Sequence, residues 1–433
     1  MIANDPWWPD DAPTTGAELE PEAAAAMAAL LRRPLLTVEH DVDLLQYAVR
    51  HGDQLARWFA HTAGWRFTTH SHEGFVRLYK RRGDPPAGRV MLRGRDRPAS
   101  KLVLTVLCLV CEQLWRQPEM EFTELQREIV AVCATEAEAG TLPGFHPVDA
   151  GGNQHGRANG YRLALVQALQ LLEEWHVISS SDPLDVAAQD RGADMVIMAR
   201  RERLNALLAC PSPSLLPIDI GDPDSHVSAL CGDESDLPDR ASAHQRGERR
   251  RHTAMRLVLD EPVLAADADE ESTRFLATPH GRRFALDAAA DAGLVCVVRP
   301  DWWMVADPGG ASSDIEFPLG RTQEHQAALL LLKEITERPD PSAPVTVEDA
   351  ELWLGLQRAA TPWWAARYDK PGATRRLARI AATVLTDVGI LRCPMPDLWE
   401  PTGAVDFWQV DVSVSQNFDN RRDENEDPSN DDE

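Results

Sequence analysis

Cys108 and Cys111 form a Cys-x-x-Cys pair, the spacing that serves dithiol exchange or half of a zinc site. Both sit inside the apolar run Leu102 to Leu114, with no βαβ surroundings and no second pair, so they read as structural cysteines of a buried helix. The other cysteines, at 133, 210, 231, 296 and 393, are scattered. His70 and His72 form a His-x-His near His61, but a zinc site needs a third and fourth ligand that the neighbourhood does not supply. No Walker A loop, Gly-x-Gly-x-x-Gly, Gly-x-Ser-x-Gly or His-Glu-x-x-His occurs. Acids are abundant but come in solvated runs such as Ala265 to Glu271. The expectation is a chain that is not an enzyme and takes neither metal nor cofactor.

One window carries a charge that could act. From Lys80 to Lys101 the basic residues are Lys80, Arg81, Arg82, Arg89, Arg93, Arg95, Arg97 and Lys101, against Asp84 and Asp96. The formal net charge of the whole chain is −25, which argues against a protein coated onto nucleic acid over its whole surface. The stripe reads either as a loop that contacts DNA phosphates without reading bases, or as a solvated connector or a patch for an acidic protein. The sequence leaves these open. A second cluster, Arg246, Arg249, Arg250 and Arg251, reads as a solvated helix face.

The elements that must carry these residues are set by an internal repeat. His51, Gly52, Leu55, Ala56, Ala63 and Gly64 match His280, Gly281, Phe284, Ala285, Ala292 and Gly293 at an offset of 229. Upstream, Arg33-Pro34-Leu35-Leu36 faces Glu261-Pro262-Val263-Leu264. Downstream, each Ala-Gly leads into two β-type runs around a turn: Trp65 to Thr69 with Phe75 to Tyr79, and Leu294 to Val298 with Trp302 to Ala306. Each copy continues into an apolar helix (Leu102 to Leu114; Ala327 to Ile335) and a threonine-led helix start at Thr123 or Thr346. A last apolar segment follows, Leu163 to Ile178 against Leu377 to Leu391.

The order helix, helix, helix, hairpin thus occurs about twice in each half. It is the order of a winged helix, a helix-turn-helix variant with a β-wing. The expected fold is mainly α with small β-wings (α+β), an internally duplicated tandem of winged-helix domains. The boundaries expected are a polar, disordered leader at 1–25, units at 26–97 and 98–205, a linker at 206–252, units at 253–318 and 319–411, and an acidic disordered tail at 412–433. No run reaches the ~18 apolar residues of a membrane span, and the acidic start (Met1 to Asp11) is no signal peptide, so a cytoplasmic location without membrane contact is expected.

Several stretches resemble a known family: Leu30-Leu31-Arg32-Arg33-Pro34-Leu35-Leu36, His51-Gly52 with Trp58-Phe59 and Gly64-Trp65, Phe75 to Lys80, Leu102 to Leu109, and Thr278-Pro279-His280-Gly281. Over roughly residues 26 to 411 the chain is similar to an actinobacterial-type family from a four-gene neighbourhood. That neighbourhood encodes a Wadjet-type, condensin-like SMC system of plasmid defence, and this chain resembles its MukE-like, kite-type subunit. The resemblance implies tandem winged helices and a homodimer. It also implies a kleisin-like partner, an SMC-type ATPase, double-stranded DNA within the complex, and a nuclease subunit met only transiently. The thirteen tryptophans agree with a protein that makes interfaces. The rival expectation is a winged-helix transcriptional regulator, which needs a basic, polar recognition helix. The segment Leu163 to Glu174 is apolar and ends in two acids, whereas Arg375 to Thr386 carries Arg375, Arg376 and Arg379.

Overall fold

The computed structural model describes residues 19–411 apart from 83–90, 94–96, 141, 143, 146–154, 191, 193, 209–240, 266–268, 316 and 319–321. The disorder expected for residues 1–18 of the leader, most of the linker and the tail falls on residues outside those described; the end of the expected leader is not disordered, because a helix begins at Pro21 and already buries Ala23. The chain is mainly helical with small three-stranded antiparallel sheets, an α+β protein.

The first helix, α1, is Pro21–Arg32, followed by β1 (Leu35–Thr37), α2 (Val42–Arg50), α3 (Gly52–Ala63), β2 (Arg66–His70) and β3 (Phe75–Tyr79). Asp41 caps α2 by accepting from the Leu44 N–H at 2.9 Å. The repeated Ala-Gly is a helix stop: Gly64 lies in the left-handed region at φ 63 and closes α3, and Gly293 does the same at φ 73. The repeated apolar positions Leu55 and Ala63 are fully buried. After the two-residue strands β4 (Leu92–Arg93) and β5 (Arg97–Pro98) come α4 (Lys101–Arg116), β6 (Glu119–Glu121), α5 (Phe122–Ala139) and α6 (His155–Glu174). Then follow β7 (Ile178–Ser180), α7 (Leu184–Gln189), β8 (Val196–Ala199) and α8 (Arg201–Leu207).

The second half opens with α9 (Ala243–Asp260), β9 (Val263–Ala265), α10 (Glu270–Ala277), α11 (Pro279–Asp291), β10 (Val295–Val298) and β11 (Trp302–Ala306). It closes with α12 (Gln323–Thr336), β12 (Val345–Thr346), α13 (Val347–Ala360), α14 (Ala373–Asp387), β13 (Leu391–Met395) and β14 (Leu398–Pro401). Thr278 caps α11 with Pro279 in its first turn, and Thr346 forms a capping box with Asp349 at the start of α13.

Among the described residues one element order, helix–strand–helix–helix–strand–strand, therefore recurs four times, once with α7 inserted between the last two strands. All four three-stranded sheets have the strand order first–third–second: β1-β3-β2, β6-β8-β7, β9-β11-β10 and β12-β14-β13. In the third unit's sheet Leu264 of β9 stands opposite Trp303 of β11. The hairpin expected at Trp65 to Tyr79 has the register Arg66 to Tyr79 through His70 to Phe75.

Three details differ from the sequence reading. The short first strand of each unit was not expected, because two or three residues carry no periodicity. Helix α9 starts at Ala243, inside the expected linker, where Ser242 and Gln245 form a capping box. Thr123 is not the cap of α5; its hydroxyl donates instead to Asp194 at 2.7 Å.

By its contacts the chain forms two compact units. One comprises 1–261, 266–297 and 305–314; the other comprises 262–265, 298–304 and 315–433. The division runs through the segment 253–318. The core of the first unit centres on Val106, Val110, Phe122, Leu165, Leu169 and Ile197, and that of the second on Leu331, Leu332, Leu377, Leu385 and Trp399. Among the described residues no helix is long and apolar enough to cross a membrane.

Candidate functional site

The start of the basic stripe is built into the fold. Strand β3 ends at Tyr79, so Lys80, Arg81 and Arg82 leave the sheet beside the end of α9. The Lys80 ammonium pairs with Asp260, donates to the Leu31 carbonyl at 3.1 Å, and lies 5.2 Å from the centre of the buried Trp65 ring. Arg82 pairs with Glu261, with both side chains largely covered. The Arg81 carbonyl accepts from the Trp65 indole N–H at 3.2 Å. Lys80 and Arg82 already have anionic or carbonyl partners, so they hold this corner of the fold together. Arg93 and Arg97 stand opposite each other on β4 and β5, and Lys101 is exposed at the first residue of α4. Arg89 and Arg95 lie outside the described residues. Charge reversals meant to probe DNA contact therefore avoid Lys80 and Arg82, whose loss would disturb this corner of the fold.

The cationic face expected at 246–251 is only partly solvated. Arg251 and Arg256 of α9 are both 6% exposed. The Arg256 Nε donates to the Ala63 carbonyl at 2.7 Å, and the Arg251 guanidinium lies 5.6 Å from the Phe284 ring. His252 sits between them, its Nε2 3.2 Å from the His61 carbonyl oxygen. Burial, then Arg251 and Arg256, pushes His252 down to about 4.

A second polar cluster joins the first two units. Arg203 is 2% exposed and donates to the His176 carbonyl at 2.8 Å and to the Glu73 and Gly74 carbonyls at 3.4 Å. It also pairs with Glu39 at 2.9 Å, and Arg200 pairs with the same carboxylate. Burial alone would raise Glu39, but the hydrogen bonds from Arg200 and Arg203 outweigh it and pull the carboxyl to about 2. His40 packs on His176 with ring centres 4.4 Å apart. Burial, then Arg33 and His176, pushes His40 down to about 4.

Both histidines fold neutral while the unfolded chain takes protons near 6.5, so stability is complete above about pH 6.5 and falls as pH drops toward 4. At pH 5 each would cost about 2 kcal/mol if fully shielded. Solvent screening halves this, for a combined loss of about 2 kcal/mol. Thermal melts at pH 7.5 and 5.0 and constant ionic strength should show the drop, and a His252→Gln, His40→Gln chain should lose less of its stability on acidification.

The Cys-x-x-Cys pair is not buried as expected, because α4 turns Cys108 toward solvent. Cys108 is exposed, Cys111 is half-buried, and burial pushes the Cys111 thiol to about 12. His70 stacks flat on Phe75 with ring centres 4.4 Å apart, and His72 is exposed in the turn. Among the described residues no group of three or more His, Cys, Asp or Glu is placed to hold a metal ion.

The family described as "Protein of unknown function (DUF2398)" matches residues 27–410. The chain belongs to that family. No curated protein and no solved structure matches it.

In this DUF2398 chain the most basic third helix of a unit is α14; two of its three arginines are engaged, and Arg376 is exposed. Arg379 makes a two-pronged contact with Asp397 at 2.7 and 2.6 Å, and Arg375 meets Glu348 at 2.7 Å. Asp397 lies in the turn between β13 and β14 with φ 65, so the hairpin tip holds the carboxylate against the helix. The sequence reading found the arginines of α14 but not their acids, which lie on α13 and on the hairpin. It also missed an apolar line: Leu352 and Leu356, one turn apart on α13, are 60% and 63% exposed, and Trp363 just beyond is 47% exposed. A period of four in exposed leucines was the available signal.

Proposed function

We propose that the four helix–strand–helix–helix–strand–strand units are tandem winged helices produced by internal duplication. The chain then serves as the MukE-like, kite-type subunit of a Wadjet-type, condensin-like plasmid-defence complex in the cytoplasm. The observation that carries this reading is the fourfold recurrence of one element order with the first strand against the third. In this role the chain is not a catalyst and takes no cofactor. It binds the kleisin-like subunit, helps hold double-stranded DNA near the SMC-type ATPase heads, and meets the nuclease subunit transiently.

What supports a scaffold over a sequence-reading repressor is the state of α14. Direct readout needs several arginine forks free to meet base edges, whereas two of the three arginines of α14, Arg375 and Arg379, are already held by carboxylates, which leaves the exposed Arg376. The exposed line Leu352, Leu356 and Trp363 suits an amphipathic segment of the kleisin-like partner, since contiguous exposed apolar side chains mark interaction faces.

The test is co-purification with the products of neighbouring genes. The wild-type chain should retain a kleisin-like protein and an SMC-type ATPase. Leu352→Asp with Leu356→Asp should weaken retention at least tenfold and leave the melting temperature within a few degrees, because both side chains already face solvent. In the reconstituted complex, Arg93→Glu, Arg97→Glu and Lys101→Glu together should lower DNA-stimulated ATPase activity, each lost phosphate contact flattening the salt dependence by about 0.9. A chain that retains no neighbour, yet binds one operator far more tightly than bulk DNA, would replace this reading with the regulator.

A further inference from the structure

We infer that this chain is a dimer built into one polypeptide: its first and third units pair with each other across the surface that a second copy would otherwise occupy, so the protein works as a monomer in place of the homodimer that the resemblance implies. The inference rests on the duplication proposed above, not on the SMC role.

The two units correspond closely. Strands β1 and β9 begin at Leu35 and Val263, 228 residues apart, and the shared motif repeats at 229. Within one compact unit of the fold, the third helix of the first copy, α3, meets the third helix of the second, α11. The Trp58 indole N–H donates to Asp291 at 2.9 Å, and the His61 and Phe284 rings lie 5.6 Å apart. In these contacts the earlier residue of α3 meets the later residue of α11, as in an antiparallel crossing of a helix with its own repeat.

The helix ends exchange contacts reciprocally. Asp260, at the end of α9, binds Lys80 just beyond the hairpin of the first copy. Its counterpart 228 positions earlier is Arg32, at the end of α1. Arg32 donates at 2.9 Å to the carbonyl of Gly310, just beyond the hairpin of the second copy. Each contact joins the end of one copy's opening helix to the stretch just beyond the other copy's hairpin, within a few residues of the equivalent position. That exchange is the signature of a two-fold, self-complementary interface, here formed inside one chain.

The lock at the centre is one-sided. Arg256 donates to the Ala63 carbonyl, and a Cβ added at Gly64 would lie 2.6 Å from His252. The corresponding residues of α1 are Ala24 and Ala28, and nothing lies within 4 Å of a Cβ at Gly293. Two identical chains could not make this difference; two diverged copies in one chain can. The first copy offers a bare turn and the second supplies the arginine that fills it.

The experiment uses the full chain with a specific protease site inserted between Gly232 and Asp233. Light scattering should give a mass near the 48.0 kDa of one chain. After cleavage the two pieces should still elute together. Arg256→Ala with Phe284→Ala should weaken their association at least tenfold, with the uncut variant serving as the control for folding. If that variant unfolds, Trp58→Phe, which removes only the indole donor to Asp291, replaces it. A species of about twice the chain mass that survives dilution overturns the inference. So do wild-type pieces that part on cleavage, or pieces of a folded variant that stay together as tightly as wild type. Retention of the kleisin-like partner is read separately, so a failure there leaves this result intact.

Discussion

Replacing Arg203 by alanine should lower stability by about 3–5 kcal/mol, the range for leaving buried charge uncompensated. Arg203 comes from α8, the last helix before the segment between the halves, yet its guanidinium reaches the turn of the first hairpin and the carboxylate of Glu39. Alanine would strip the His176, Glu73 and Gly74 carbonyls of a donor and leave Glu39 to Arg200 alone. Arg203→Lys should recover part of the loss, because an ammonium keeps the charge but cannot span three carbonyls and a carboxylate as a planar fork does. The acid sensitivity of the variant should also shift, since the depressed Glu39 value depends on hydrogen bonds from both arginines. Denaturant melts of the three chains at pH 7.5 check this. A melting midpoint for Arg203→Ala unchanged from wild type would remove Arg203 as the link between the first two units.

Gly281→Ala and Gly52→Ala change equivalent positions of the repeated motif, and their effects should differ sharply. A Cβ on Gly281 would stand 2.1 Å from the carbonyl oxygen of Phe275 and 2.9 Å from the Thr278 Oγ1. Neither can give way: Phe275 belongs to the last turn of α10, and Thr278 caps α11 by accepting the Gly281 N–H at 2.9 Å. The α10–α11 corner must open, costing about 3 kcal/mol. A Cβ on Gly52 would meet only the Thr69 Cγ2, at 3.1 Å, and a methyl can shift by a few tenths of an ångström. There the better helix propensity of alanine offsets most of the crowding, so the net change should be under about 1 kcal/mol. Circular dichroism melts of the two single variants suffice. Equal losses would mean that the glycine serves one shared purpose in both copies, contrary to the contacts around them.

The repeat itself was legible because it is written in chemistry that acts locally. An Ala-Gly that ends a helix in the left-handed region, a Thr-Pro that starts one, and leucines every three or four residues need no distant partner to be interpreted. Hence the helices, the first hairpin and the α+β class follow from the residues alone. The two- and three-residue strands β1, β6, β9 and β12 do not, because a strand that short exists only through the neighbour it pairs with. The same limit applies to charge. Sequence counts Lys80, Arg82, Arg251, Arg375 and Arg379 as cations, and in isolation each reads as a solvated side chain or a phosphate contact. Whether a cation is free depends on which carboxylate or carbonyl the fold brings within about 3 Å. Asp260, Glu261 and Asp397 lie between 18 and 180 residues from the cations they hold. The sequence by itself determined the repeated elements and the total charge. The tertiary structure decided which charges remain exposed and which surfaces are already covered, because electrostatic pairing and burial depend on distance in space, and only the folded chain sets that distance.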